Sequence, residues 1–501
     1  MRLEMNVQRV SAAIGAVVLL LAQGCTVGPK YRAPGPVALA TYTPKPLPAE
    51  TASSAGAAGV AQKLSATADV PADWWTLFRS PELDRMVRQA LANSPTLQQA
   101  TWRLKQAQEE LNARRGATRY PTVSGNASVE EEQLNLAAFG IPFPNPSPFT
   151  LLNGSIGVSY ALDIFGANRR AIEGLSAQRD YEAWQAEGAR LMLAGNVAAA
   201  AIRQAQIREE IELTRQMLDV EEQQLRIVEK RYRAGGVAES DARSQRTLVA
   251  ETRALLPGLE QQLDAVNDEL AVLMGQSPAA AQVAPISLDR LHLPAALPVS
   301  VPSALVRQRP DIRAAESLLH QASANVGVAT ANLYPQIVLS GSGGAIGTNF
   351  TTGGDIWNVG GALTQPIFNG GALRAEQRKA QAAYDEADGV YKQTVLGAFQ
   401  QVADTLYAIE HDAQALAART DAANEADASY RIAAARYRAG GISQEALLDA
   451  ERQRLQMELN RTGAVAARYA DSATLLQALG GGWWNGPEAA TVAKATQTKT
   501  P

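Results

Sequence analysis

Cysteine is nearly missing: one, Cys25, stands in 501 residues, so no disulfide can form within the chain. Histidine is almost as scarce, and His292, His320 and His411 lie far apart, not in the spacing of metal ligands. There is no CxxC, no P-loop and no GxGxxG after a strand, so the sequence supports neither catalysis nor nucleotide hydrolysis, and no cofactor is expected. Basic excess is also lacking. The formal net charge is −4, and nucleic acid is not an expected partner. Aromatics are 6% of the chain. After the first two dozen residues no run approaches the roughly 18 apolar residues of a membrane-spanning helix. Any later crossing of a membrane must therefore be made by strands closed into a barrel.

The opening, "MRLEMNVQRVSAAIGAVVLLLAQGC", has basic Arg2 and Arg9, an apolar run too short to span a bilayer comfortably, and small residues before Cys25. It resembles a bacterial lipobox. Residues 1–24 then form a lipoprotein signal peptide, and Cys25 becomes the N-terminus with a covalent lipid. An ordinary secretory signal with a free cysteine is the alternative. Residues 25–72, rich in Pro, Ala, Ser and Gly, read as an extended tether without a core.

The phrase "RYRAGG" occurs twice, at 231–236 and 436–441, roughly 205 positions apart. Each copy ends a long stretch free of proline: 167–234 and 372–439. At about 1.5 Å per residue a helix of that length reaches roughly 100 Å. The double glycine stops it, and a second helix returns. Ahead of each long helix the apolar period changes from helical to alternating. In "YPTVSGNASV" and "SIGVSYALDIF", Val123, Val129, Ile156 and Val158 share one side, with serine, asparagine and glycine on the other. That is the signature of a membrane barrel strand, although a hairpin half-buried on a soluble core alternates similarly. "QIVLSGSGGAIG" and "IWNVGGALTQPIF" repeat the pattern more weakly.

The chain thus reads as a tandem duplication. Repeat 1 covers 73–278, with a β-hairpin at 120–165 and a helical hairpin at 167–274. A connector, 279–303, leads to repeat 2 at 304–484, with a β-hairpin at 334–368 and a helical hairpin at 372–479. Residues 485–501 read as a disordered tail. Trp74, Trp75, Trp483 and Trp484 flank this body and are expected to pack the chain ends, with membrane-interface anchoring as the alternative. Four candidate strands cannot close a barrel, because the smallest have about eight. Subunits must share one.

The stretches "GCTVGPKY", "DWWTLFRSPELDRMVRQALANSPTL", "RPDIRAAE", "YPQIVLSGSGG", "QPIFNGGALRAE" and both RYRAGG tips resemble the TolC-type outer-membrane efflux factors, in the NodT-like lipoprotein branch. The resemblance implies a mainly α chain with four transmembrane β-strands, assembled as a homotrimer with a twelve-stranded barrel and a long α-helical barrel. It implies the passive outer-membrane duct of a tripartite efflux pump, docked to a periplasmic membrane-fusion adaptor and an inner-membrane transporter of the resistance-nodulation-division class. Adaptor contacts carry over to Arg231, Tyr232, Gly235, Gly236 and Val237, with Arg436, Tyr437, Gly440, Gly441 and Ile442. Asp449 matches a ring aspartate of the pore gate. The companion position is Ala446, with Glu445 adjacent, and Asp241 matches an aspartate that links to Tyr437. A periplasmic adaptor or a structural envelope lipoprotein, also built on helical hairpins, is the competing reading.

Overall fold

The structure, a computed structural model, describes residues 26–35, 39–65, 69–135, 140, 142–144, 147–349 and 353–486. The leader, Cys25 and the tail from 487 onward lie outside the described residues.

After a short strand β1 (Lys63–Ser65) come helices α1 (Pro81–Asn93) and α2 (Pro95–Arg119). Ser80 caps α1, its hydroxyl accepting from Leu83 N at 3.2 Å, with Pro81 at the first turn and Glu82 and Asp84 favouring the helix N-terminus. The two helices are consecutive but do not join into one. Pro95 lacks an N–H and pushes Ser94 to an extended ψ of 123°, which splits the segment in two.

Strands β2 (Thr122–Glu132) and β3 (Phe149–Leu162) follow, then the long helix α3 (Ala167–Arg233) and its return α4 (Glu239–Leu273). The connector carries β4 (Ala296–Pro298) and leads to α5 (Pro302–Gln308) and α6 (Pro310–Ala331). The second half then repeats the first: β5 (Gln336–Gly347), β6 (Gly354–Thr364), α7 (Ala372–Arg438) and α8 (Gln444–Ala478). The correspondence extends to length. Helices α3 and α7 each have 67 residues, and α4 and α8 each have 35.

The four long strands form one antiparallel sheet in the order β2-β3-β5-β6. Its register carries the alternation across every strand. Val123 lies opposite Val158, Val158 opposite Gly341, and Gly341 opposite Val359. Leu162 faces Ile337, which faces Leu363. The other face runs Ser124, Gly157, Ser342, Asn358. A one-residue slip would mix the two sets, so the register is strongly specified. The apolar face is bare: Val129 is 72% exposed and Val359 82%. Strands β2 and β6 are both edges. No described helix is long and apolar enough to cross a membrane.

The core lies where the two halves meet, below the sheet. Trp74, Phe78, Leu83, Leu291, Leu297, Leu305, Ile312, Tyr469 and Leu476 are buried in one cluster. The tryptophans pack the chain ends. Trp74 and Trp75 are buried, Trp483 stacks edge-on against Trp184, and its indole N–H donates to Gln308 O at 2.6 Å.

The N-terminal segment departs from the coreless tether that its composition suggests. Strand β1 pairs in parallel with β4, so the segment is a strap bolted across the core. Arg468, fully buried on α8, donates Nη1 to Ile409 O at 2.9 Å and Nη2 to Thr51 Oγ1 at 3.3 Å. Gln62 is equally buried and donates Nε2 to Pro294 O and to Ser472 Oγ, both at 3.0 Å. Polar side chains thus share the work with apolar ones: Ala58 joins the core, and Tyr42, Leu47 and Leu64 pack against it. Higher up, Tyr31 stacks on His320 with ring centroids 4.1 Å apart, and Val27 N donates to Phe165 O at 3.2 Å at the foot of the sheet.

Beneath the strap, Asp471 of α8 faces Asp412 of α7. Burial and then the Asp412 carboxyl push Asp471 up from 3.8 to about 7, against the pull of Arg468. A carboxyl raised on folding favours the folded state while protonated, and that contribution fades as pH rises between the two values. The share of the melting temperature that this carboxyl contributes should therefore fall between about pH 4 and about pH 7. Asp471→Asn should flatten that part of a pH-resolved melting curve. An identical slope in the variant would show that the pair has no share in it.

Candidate functional site at the helical hairpin tips

Both tips turn by the same hydrogen bonds. Gly236 N donates to Arg231 O and Gly441 N to Arg436 O, each at 2.8 Å, while Gly235 N reaches Tyr232 O and Gly440 N reaches Tyr437 O. This is a Schellman closure, and it demands a left-handed residue, which Gly235 (φ 73°) and Gly440 (φ 72°) supply. Nothing lies within 4 Å of where a Cβ would stand on either glycine, so both tips present open backbone. Arg231, Tyr232, Arg436 and Tyr437 are exposed beside them, and Val237 and Ile442 are half-buried.

The return helices start with complementary halves of one motif. At α4, Asp241 reaches back and accepts from Ala238 N at 3.2 Å, while the methyl of Ala238 has no acceptor to return the bond. At α8, Ser443 Oγ accepts from Ala446 N at 3.3 Å, and Ala446 has no carboxylate. Together they would make a capping box. Asp241 is therefore occupied at its own helix start. Among the described residues no hydrogen bond joins it to Tyr437, the partner expected from the resemblance.

Other residues tie the two hairpins instead. Arg231 Nη1 forms an ion pair with Glu445. Asp449 is exposed, and its Oδ1 accepts from Gln224 Nε2 at 2.9 Å. Gln224, 4% exposed, in turn faces Gln245, whose Nε2 lies 3.3 Å from Gln224 Oε1 and 3.2 Å from Glu221 O. Glu221 is buried, with Oε2 lacking a hydrogen-bond partner among the described residues, and burial raises its pKa.

Gln224, Gln245 and Glu221 are not among the residues expected from the sequence. A signal for Gln224 was present. Leu213, Met217, Val220, Gln224 and Ile227 follow the alternating 4,3 spacing of a heptad seam, and the four other members are apolar residues of one cluster with Leu448 and Leu455. A single polar residue in such a seam commonly sets register.

Within hairpin 1 the helices are laced by exposed Arg–Glu pairs: Arg215–Glu260 at 2.8 Å, Arg246–Glu229 at 2.9 Å and Arg253–Glu222 at 2.7 Å. Hairpin 2 has Arg454 over the Tyr430 ring at 5.3 Å. Such exposed contacts add little each.

This arrangement has known counterparts. The family described as outer membrane efflux protein matches residues 86–276 and 301–481, one segment in each half. The pyoverdine export outer membrane protein OpmQ of Pseudomonas aeruginosa is 32% identical, over 88% of this chain and 94% of its own. The probable outer membrane lipoprotein SilC of Salmonella typhimurium is 27% identical over 82% of this chain and 88% of its own. Among solved structures, the outer-membrane channel OprN superposes with a TM-score of 0.79 at 28% identity, covering 92% of this chain and 100% of that one. With matches in both repeats and a shared strand-and-hairpin architecture from end to end, the chain belongs to the outer membrane efflux protein family.

Proposed function

We propose that the protein is the passive exit duct of a tripartite efflux pump, carrying solutes from the periplasm through the outer membrane. The observation that carries this reading is the sheet. It has one apolar face, exposed across all four strands, and two unpaired edges. Lipid does not tolerate open edges. Edges β2 and β6 are each 11 residues long, so the β6 of one copy can pair with the β2 of the next. Three copies give a twelve-stranded barrel, and their hairpins continue it as a helical tube of roughly 100 Å. The exposed tips then face the periplasm, where an adaptor and an inner-membrane transporter of the resistance-nodulation-division class would dock. A lipid on Cys25 fits this placement, since Val27 is held at the foot of the sheet. The pyoverdine export and lipoprotein relatives support the same role.

The test is reconstitution. Detergent-extracted protein should run as a trimer by light scattering and form discrete conducting units in planar bilayers. A monomer that stays soluble once the lipid is removed and never conducts would favour a periplasmic adaptor.

A further inference from the structure

We propose that the foot of repeat 2 binds an anionic phospholipid of the inner leaflet, with its phosphate on Arg374 and Arg378 and its acyl chains on Ile367 and Phe368. The proposal rests on the duct reading, which sets the foot of the sheet at the periplasmic boundary of the outer membrane.

The two repeats have feet of the same backbone and of opposite surface. Each long helix starts on a left-handed glycine, Gly166 (φ 83°) before α3 and Gly371 (φ 84°) before α7. At the foot of repeat 1 the chain covers itself. Thr26 lies against Gly166, where an added Cβ would stand 2.8 Å from its Cγ2. Phe165 stacks on Tyr334 with ring centroids 4.8 Å apart. A chain has two such feet and one N-terminal segment. At Gly371 nothing lies within 4 Å of where a Cβ would stand. Beside it Ile367 is 97% exposed and Phe368 90%.

The charge differs as well. Residues 163–174 carry Asp163, Arg169, Arg170 and Glu173, and the two signs balance. The corresponding stretch, 366–379, carries Arg374, Arg378 and Lys379 against Glu376: three basic residues and one acidic, a net of +2. Counted from the helix starts, Arg374 matches Arg169 and Arg378 matches Glu173. Asp163 occupies the first of these places in repeat 1. Its Oδ2 accepts from Arg169 N at 2.9 Å and from Arg169 Nε at 3.2 Å, and its Oδ1 accepts from Asn168 N at 2.9 Å. Counted back from the Ile-Phe pair, the position of Asp163 is Pro366 in repeat 2. Arg374 and Arg378 have no hydrogen-bond or ion-pair partner among the described residues, and Lys379 has the exposed Glu376 at 3.3 Å. Residues four apart share a helix face, about 6 Å from each other along the axis, and like charges there repel. An anion between the two guanidiniums removes that repulsion, and a phosphate can accept from both.

The order of the groups selects the class of anion. Ile367 and Phe368 lie next to the sheet, and Arg374 and Arg378 follow in the first two turns of α7. A lipid of the inner leaflet has the same order, with chains toward the bilayer and headgroup toward the periplasm. Free phosphate would leave the apolar pair unused. A zwitterionic headgroup brings its own ammonium, which the excess of cations opposes.

The experiment titrates the full-length protein in detergent with fluorescently labelled phosphatidylglycerol and follows anisotropy, with trimer content checked by light scattering. Binding should saturate and should yield to unlabelled phosphatidylglycerol, but not to equal phosphatidylethanolamine or inorganic phosphate. Arg374→Gln with Arg378→Gln should weaken it by roughly tenfold or more at low salt. Arg419→Gln with Arg431→Gln removes the same charge far down α7 and should leave it unchanged. Phe368→Ser should weaken it several-fold with the trimer intact. Equal affinity in the Arg374 and Arg378 variant would overturn the site, and displacement by inorganic phosphate would reduce it to a plain anion site. A Phe368→Ser protein that loses trimer but keeps its affinity would assign the apolar pair to the next copy and overturn the lipid. Each of these results leaves the duct standing. Protein that binds the lipid as stated but never conducts in planar bilayers would overturn the duct reading instead.

Discussion

Gly482→Ala should abolish docking of the C-terminal end onto the core, at a cost upward of about 3 kcal/mol. Three consecutive glycines, Gly480 to Gly482, follow α8 with φ of 101°, 67° and 69°. A Cβ on Gly482 would stand 2.2 Å from Val70 O and 2.5 Å from Pro71 O. Backbone strain and backbone collision therefore coincide, and neither obstacle is the end of a flexible side chain. Thermal unfolding followed by circular dichroism should show a lowered midpoint, and the fluorescence of Trp483 and Trp484 should shift toward that of exposed indole. Gly116→Ala gives the contrast. It lies inside α2 with nothing within 4 Å of the added carbon, and should stabilise by roughly 0.5–1 kcal/mol. Equal effects at the two positions would show that the close approach at Gly482 is unimportant.

The second large effect is expected at Arg468. Alanine there would take the guanidinium from Ile409 O and from Thr51 Oγ1, which would keep only Gln62 N as its donor, and would open a cavity beneath the strap. The combined loss should be about 3–5 kcal/mol. Arg468→Met removes the same charge but keeps most of the volume, so it should lose less, by roughly the cost of the cavity. The readout is limited proteolysis together with the melting curve. Trypsin should cut after Lys63 in the alanine variant well before it does so in the original. A strap that resists cleavage equally in both would show that apolar contacts alone hold it.

Much of this architecture was legible from residue order because punctuation and period agree. Tyr120-Pro121 and Tyr334-Pro335 mark the passage from helix to strand, and Gly235-Gly236 and Gly440-Gly441 mark the helical turns. The strand alternation was readable because one set of side chains is uniformly small or polar, even where glycine weakens the signal in β5. The strap was not legible. Its residues are individually weak core formers, and what fixes them is a set of partners hundreds of positions away, such as Ser472 and Arg468. The tip residues divide similarly. Positions Arg231 and Glu445 drew attention by resemblance, but their pairing depends on how two hairpins lie side by side. Asp241 is expected from the resemblance to link to Tyr437, and local geometry gives it a nearer acceptor role on Ala238 N. Gln224 is legible in the heptad as the polar member of an otherwise apolar seam.

The hydrogen bond from Val27 to Phe165 bears on how the protein sits in its bilayer. With the backbone fixed two residues after Cys25, an acyl group there has a leash of about 7 Å. It cannot act as a loose mooring that pays out to suit bilayers of different thickness. A lipid on Cys25 would then enter the bilayer at the foot of the sheet at one set depth, so a mismatch would have to be met by the surrounding membrane rather than by the protein.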